Sequence, residues 1–365
     1  MSVTGTPVLP DVKVDENRSD AFAAKMMTMV NHGGLALMMS IGHRTGLFDV
    51  MAQMPPATQT EIALAASLNE RYVQEWLSAM VVGKVVDYDA TNKIFHLPAE
   101  HAGWLTRSSS PDNLAVMTQF FSVLGSVEDE IVDCFQNGGG VPYSSYHRFH
   151  EVMAEESAQT VVAGLKENIL SLVPGLIDKL TAGITVLDVG CGSGRAVNQM
   201  AKLFPKSAFV GYDLSEEAIQ NGKTEATQMG LTNSRFQAKN ATDFGDAGTY
   251  DLITAFDAIH DQARPDLVLS QIHQALKQDG IFLMQDIAGS SYLEKNKAHP
   301  LGTFLYTISC LHCMTVSLAQ PDGMGLGALW GEEQAVKMLN DAGFSKVDVE
   351  QLPHDFMNNY YVAAR

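Results

Sequence analysis

The sequence predicts an α/β protein: a doubly wound sheet of seven strands, the last one antiparallel, behind a mostly helical domain of winged-helix type. After Thr181, short apolar strands alternate with amphipathic helices, the pattern of a sheet with helices on both faces. The last two strand candidates stand too close for a crossover helix between them, which makes their pairing antiparallel. Before residue 105 the order is helix, turn, helix, hairpin. With 365 residues, 46% of them hydrophobic, the chain can fill the cores of two domains.

Residues 1–20 are polar, contain Pro7 and Pro10, and read as a flexible arm. The winged-helix domain is expected over 21–105. Apolar residues in 21–41 and 47–54 recur without strand-like alternation, giving helices broken at Gly33-Gly34 and ended by Pro55-Pro56. Thr58 and Glu61 have capping-box spacing and open a short helix. Ser67–Asn69 turns, and Glu70–Val82 forms a second helix with Val73, Trp76, Leu77 and Met80 on one side, stopped by Gly83. Val85–Tyr88 and Ile94–Leu97 pair as a hairpin. Residues 106–180 read as a helical linker and pocket segment, interrupted by Gly138-Gly139-Gly140 and Pro142. Just after that break come Tyr143, Tyr146 and His147, candidates for substrate contact that would equally serve as helix packing.

The domain 181–365 carries strand candidates at 184–189, 208–212, 235–238, 251–255, 281–285, 347–351 and 360–363. Its helices are expected at 195–203, 216–229, 264–277 and 332–342. An insertion at about 290–331 holds a 34-residue run, 298–331, in which Asp322 is the sole Asp, Glu, Lys or Arg. So apolar a run reads as buried pocket wall and lid, with His312, Met314 and Trp330 as substrate candidates.

Charge narrows the function classes. Against 24 Lys and Arg stand 42 Asp and Glu, a formal charge of −18, so the surface as a whole repels nucleic acid and anionic lipid. The second helix of the winged-helix pattern offers Arg71 as its one basic residue, flanked by Glu70 and Glu75, too few phosphate contacts for a DNA reader. No apolar stretch reads as a membrane span, and no basic-then-apolar leader opens the chain. A small-molecule substrate, a cytoplasmic location and reduced thiols at the four cysteines are the expectation.

Val186-Leu-Asp188-Val-Gly190-Cys191-Gly192-Ser-Gly194 leaves a strand and opens a helix, so backbone can approach a ligand at the edge of the sheet. Its G-x-G-x-G spacing has Arg195 where the dinucleotide pattern wants glycine, and no phosphate-binding loop occurs in the chain. Asp188 is poorly placed beside a pyrophosphate and suits a ligand carrying an ammonium and a sulfonium. The second strand ends at Asp213-Leu214, where a carboxylate can accept both hydroxyl hydrogens of a ribose. The third ends at Asn240-Ala241, which can face an adenine edge, and the fourth at Phe256. In this order they point to S-adenosyl-L-methionine.

These motifs resemble the class I S-adenosylmethionine-dependent methyltransferases, whose first motif is matched by Val186–Gly194 and whose acidic second-strand residue is matched by Asp213. The resemblance implies a Rossmann-like seven-stranded sheet. With a winged helix in front, the chain looks like the plant-type O-methyltransferases, which implies a homodimer joined through the N-terminal domain. The segments 71–76, 138–143 and 312–318 are similar to a bacterial and invertebrate subgroup of small-molecule methyltransferases. His260-Asp261 matches the His-Asp pair whose His is the general base in the O-methyltransferases, although the usual tryptophan after the Asp is absent.

The expected activity is methyl transfer to a small, partly apolar metabolite, at oxygen, with His260 as base. Transfer to sulfur or nitrogen would need no base, and His260 would then close the adenosine site. A winged-helix transcription regulator that senses the cofactor is the alternative from another class. No metal is expected: Asp257 and Asp261 lack a third hard ligand, and Cys310-Leu-His-Cys313 has zinc spacing without a second pair in sequence.

Overall fold

The computed structural model describes residues 13–353 and 355–365, which fall into two compact units, up to Ser108 and from Ser109. Of the arm expected over 1–20, residues 1–12 lie outside the described residues, and Glu16–Asp20 form the start of a helix rather than an arm.

The first unit opens with α1 (Glu16–Thr45), capped by the Asp15 side chain, which accepts from the Arg18 amide, and closed by Gly46 in the left-handed region. The helix runs unbroken through Gly33-Gly34, contrary to the sequence expectation. Two interior glycines cost about 1 kcal/mol each, and the C-terminal end of α1 is anchored by packing. A Cβ on Gly42 would stand 2.5 Å from the Trp76 ring, and the Trp76 indole N–H donates to Met38 O at 2.8 Å. After α2 (Leu47–Ala52), the capping box forms as the spacing predicts: Glu61 N–H donates to Thr58 Oγ1, and the Glu61 carboxylate accepts from Thr58 N–H, opening α3 (Gln59–Ala65). Asn69 caps α4 (Glu70–Val82), whose Val73, Trp76, Leu77 and Met80 are buried with Phe48 and Ile62. The hairpin β1 (Asp87–Asp89) and β2 (Ile94–His96) pairs Asp87 with His96, and α5 (Ala99–Leu105) follows.

The second unit begins with α6 (Gln119–Gly125), α7 (Glu128–Asn137) and α8 (Phe149–Ser157), then two wide helical turns at 158–162 and 165–169, and α9 (Leu176–Ala182). The sheet elements come in order: β3 (Thr185–Val189), α10 (Arg195–Leu203), β4 (Ala208–Asp213), α11 (Glu216–Gln228), β5 (Ser234–Ala238), β6 (Tyr250–Phe256), α12 (Pro265–Ala275) and β7 (Leu276–Ile287). An insertion holds α13 (Leu293–Asn296), α14 (Gly302–Ile308), a wide turn at 309–313 and α15 (Met314–Leu318). It is followed by α16 (Gly331–Asp341), β8 (Lys346–Leu352) and β9 (Asp355–Ala364).

The seven strands lie in the order β5-β4-β3-β6-β7-β9-β8, parallel except that β9 runs antiparallel to both its neighbours. Side chains alternate across the sheet as a two-residue period requires. Leu187, Ile253, Phe282 and Tyr361 join the core under α12 and α16. Their neighbours Val186, Leu252, Leu283 and Tyr360 join the core under α9 and α10. Strand order reverses beside β3, so the crevice for a ligand opens at the carboxyl ends of β3, β4 and β6.

Trp76→Ala is expected to destabilise the first unit by about 3–5 kcal/mol, because it empties a fully buried indole site and removes the indole bond to the Met38 carbonyl. Urea unfolding followed by far-ultraviolet circular dichroism measures the loss.

Candidate functional site

The chain leaves β3 and turns through Gly190, Gly192 and Gly194, all at positive φ (71°, 51° and 70°), into α10. A Cβ on Gly190 would meet Ala258 Cβ at 2.4 Å, and one on Gly194 would meet the Phe236 ring at 2.2 Å. The loop therefore needs glycine for packing as well as for backbone conformation. The amides of Gly190 and Cys191 donate to Tyr212 O at 2.8 and 3.0 Å, tying the loop to β4. Gly192 N–H donates to Asp213 Oδ2 (2.9 Å) and Ser215 N–H to Oδ1 (2.8 Å), so two backbone amides orient the carboxylate and leave it free lone pairs. Asp188 is buried and accepts from Thr254 Oγ1 at 2.6 Å. Burial pushes its carboxyl up to about 7, against the opposing pull of that hydrogen bond.

These groups border a cavity of about 690 Å³. One wall holds Asp188, Gly190–Ser193, Asp213, Leu214, Ala241 and Phe256. The other wall comes from the segment after the Gly138–Gly140 break, which gives Tyr143, Tyr146, His147 and Phe149, from the insertion, which gives Val316, and from the loop between β6 and α12, which gives Asp261. The first two contributors are stitched together. Val141 N–H donates to Thr315 Oγ1 (2.8 Å), Tyr146 Oη to Leu311 O (2.5 Å), and a Cβ on Gly140 would overlap Thr315 O at 2.1 Å.

At the end of β6 the chain passes through Asp257, in the left-handed region at φ 49°, to His260 and Asp261. His260 is 3% exposed and does not border the cavity; Asp261 does. His260 Nδ1 lies 2.7 Å from Asp286 Oδ1 on β7, and Nε2 lies 3.2 Å from Asp261 Oδ1 without hydrogen-bond alignment. Burial opposes the imidazolium, but the two carboxylates outweigh it and hold the His260 pKa well above 6.5. Burial likewise opposes ionisation of Asp261, and the imidazolium beside it overrides that and keeps the carboxyl well below its usual range. Tyr143 Oη donates to Asp261 Oδ2 at 2.9 Å, so a chain Asp286–His260–Asp261–Tyr143 runs from inside the sheet to the cavity wall. Asp286 is itself fixed by the indole N–H of Trp330 and by the Ile287 amide, both donating to Oδ1 at 2.9 Å.

The expected residues divide accordingly. Asp188, Gly190, Cys191, Gly192, Asp213, Leu214, Ala241, Phe256, Tyr143, Tyr146 and His147 border the cavity. Gly194 sits one step behind, against Phe236. Asn240 is placed away from the lining, its Oδ1 accepting from the amide and hydroxyl of Thr242, because a local Asx turn uses the side chain. His312, Met314 and Trp330, expected as substrate contacts, are outside the lining as well. Trp330 is spent on Asp286. His312 is fully buried, stacked on Phe149 at 3.7 Å with the Tyr143 and Tyr146 rings edge-on, and burial lowers its pKa to about 4, leaving a neutral imidazole. Sequence reasoning passed over Asp286, Lys239 and the α8 residues Met153, Ala154 and Ser157. Asp286 left one signal: an acid directly after the apolar run Ile281–Met284 and Gln285.

Residues 33–107 match a family model described as an Rv2258c-like winged HTH domain, and residues 180–353 match a methyltransferase domain. The chain is 27% identical over 158 residues to a malonyl-[acyl-carrier protein] O-methyltransferase of Bacillus cereus, covering 43% of this chain and 53% of that one. It is 33% identical over 106 residues to a ubiquinone biosynthesis O-methyltransferase of Mesorhizobium japonicum, covering 29% and 41%. The chain thus spans about half the length, or less, of these curated relatives. Among solved structures, human N-acetylserotonin methyltransferase in complex with SAM superposes with a TM-score of 0.68 at 15% identity, over 98% of this chain and 99% of that one. An O-methyltransferase family protein from Burkholderia thailandensis superposes at 0.63 and 16%, over 94% and 98%. At such identities these two likenesses speak for the fold.

Asp188 makes stability depend on pH. Burial lifts its folded carboxyl to about 7, above the ordinary aspartate value of about 3.9, so between those values the folded chain holds a proton the unfolded chain has released. Stability therefore falls as pH rises through this window, by up to about 1.4 kcal/mol per pH unit. Asp188→Asn keeps the bond from Thr254 and is expected to flatten that slope, gaining stability over wild type at pH 8 and little at pH 4; denaturant titrations at both values check it.

Proposed function

We propose that this chain, with a winged-helix domain in front of its methyltransferase domain, is a class I S-adenosylmethionine-dependent methyltransferase that methylates an oxygen of a small, partly apolar metabolite, with His260 receiving the acceptor's proton. The observation that supports this is the charge chain Asp286–His260–Asp261–Tyr143, which ends on the cavity wall facing the glycine loop.

The residues present fit the donor. When bound, S-adenosylmethionine supplies a methyl group made electrophilic by a sulfonium. Asp213, held by two amides, would take the ribose hydroxyls. Asp188, buried and near its point of ionisation at neutral pH, would face the ammonium, and Gly190–Gly194 would give the backbone clearance. Transfer from a sulfonium is an in-line displacement, so the protein contributes chiefly alignment and exclusion of water. The wall built from Tyr143, Tyr146, Phe149 and Val316 supplies both.

A hydroxyl acceptor must also lose a proton. In the protein alone His260 is held as an imidazolium by two carboxylates. A cationic ligand entering the cavity opposes that charge and lowers its pKa toward the working range. Asp286 then keeps Nδ1 protonated, so Nε2 is the nitrogen that takes a proton, by way of Asp261, since His260 itself stands behind the cavity wall. One observation favours a second reading, transfer to sulfur or nitrogen with no base: both ring nitrogens of His260 already face carboxylates.

The subunit is proposed to pair with a second copy through α1, whose Phe22, Met27 and Val30 are 60–71% exposed on one helix. No described helix is long and apolar enough to cross a membrane.

His260→Gln is expected to cut turnover about 10²- to 10⁴-fold while calorimetric affinity for S-adenosylmethionine stays within a few-fold. Because the carboxylates raise the His260 pKa, wild-type turnover should climb with pH above neutrality, and the variant should lose that limb. Full turnover in the variant would leave the base-free reading. Met27→Asp combined with Val30→Asp should convert a dimer to a monomer in sedimentation equilibrium; unchanged mass would place the contact elsewhere.

A further inference from the structure

The run Cys310-Leu311-His312-Cys313 offers soft metal donors, and folding brings it against His260 and Asp261 from the loop before α12. Among the described residues, His260 Nε2 or Nδ1, an Asp261 carboxylate oxygen and Cys313 Sγ provide donor atoms that all lie within 4.8 Å of one another, on buried residues. We propose that His260, Asp261 and Cys313 bind zinc, or a divalent cation with the same preference for nitrogen and sulfur, at the acceptor side of the cavity.

Four features of the cluster carry the inference. Nitrogen, oxygen and sulfur donors together are a zinc set, and three protein ligands leave a fourth position open. Asp261 borders the cavity, so an ion can enter from there and the open position can face it. The imidazole is already held as metal-bound imidazoles are: Nδ1 is on the Asp286 carboxylate, which two further donors fix, and this directs Nε2 at the cluster.

Buried polar atoms at the same point lack hydrogen-bond partners. Asp261 Oδ1 has none, and His312, 0% exposed, has none at either ring nitrogen, with Nδ1 3.7 Å from Asp261 Oδ2. Groups this deep are normally satisfied, and a cation among them would satisfy Asp261 Oδ1. Zinc bonds of 2.0–2.3 Å at tetrahedral angles place ligand atoms about 3.3–3.6 Å apart. The His260–Asp261 pair already stands at 3.2 Å, and all three donor atoms lie within 4.8 Å of one another.

The charge balance also closes. Binding a doubly charged ion expels one proton from Nε2 and one from the Cys313 thiol to solvent. An imidazolium, a carboxylate and a thiol become an imidazole, a carboxylate, a thiolate and the ion, with no change in buried net charge. Ion and proton therefore compete for one lone pair, and the loaded protein cannot use Nε2 as a base. That last consequence rests on the proposed O-methyl transfer; the site itself does not.

The test uses the full chain freed of metal by chelator dialysis. Titration with cobalt(II) chloride is expected to give a thiolate-to-cobalt charge-transfer band that zinc chloride displaces, and equilibrium dialysis should retain one zinc per chain. Cys313→Ser should lose the band and bind zinc about tenfold more weakly or worse, Asp286→Asn about 10- to 100-fold more weakly, and Cys310→Ser should match wild type. Absence of the thiolate band in the wild-type protein overturns the proposal whatever the variants do, as does equal zinc uptake by wild type and Cys313→Ser. Calorimetry with S-adenosylmethionine on the same metal-free sample reports on the donor site alone, so failure of the methyltransferase reading is seen separately.

Discussion

One imidazole held between two carboxylates inside the protein is the constraint around which the second unit is arranged. Asp286 is fully buried on β7, His260 follows β6, and Asp261 is the member that reaches the cavity. A buried acid is costly unless charge and hydrogen bonds compensate it. Here Trp330, the Ile287 amide and the His260 ring all converge on one oxygen of Asp286. The position of His260 is thus set by the sheet rather than by the loop that carries it, and the aromatic wall takes its bearing from Asp261 through Tyr143.

Opposite this chain, the glycine loop and Asp213 form a region shaped by missing side chains. The clearance at Gly190 and Gly194 is filled from outside by Ala258 and Phe236, so the loop cannot relax into a conformation that other residues would tolerate. Rigid backbone amides orient the Asp213 carboxylate, and burial keeps Asp188 near its point of ionisation at neutral pH. One wall therefore carries the carboxylates of Asp188 and Asp213, while the other presents Asp261 and the Tyr143 ring, with His260 behind Asp261. That second wall is itself held together by the seam at Gly140, where two segments far apart in sequence meet backbone to backbone.

Much of this was legible in the sequence because it is local. The capping box at Thr58 and Glu61, the α4 apolar face, the glycine spacing at 190–194, the acid closing β4 and the antiparallel end of the sheet all depend on residues within a few positions of one another. The break expected at Gly33-Gly34 failed because packing at Gly42 and Trp76, several turns away, holds α1 together. His312, Met314 and Trp330 were read as substrate contacts from composition alone. An apolar run tells that it will be buried, but not which side faces a cavity and which faces a core.

By itself the sequence determined the order of strands and helices, the bend that opens at the edge of β3 and the carboxylate beside it, since backbone sterics and short-range periodicity dictate these. Only the tertiary structure decided that both nitrogens of His260 meet carboxylates, that Trp330 serves Asp286, and that Cys313 comes within reach of Asp261. Except for the contact of His260 with its neighbour Asp261, these join residues 26 or more positions apart, and their geometry follows from how strands and helices pack, which no local pattern encodes.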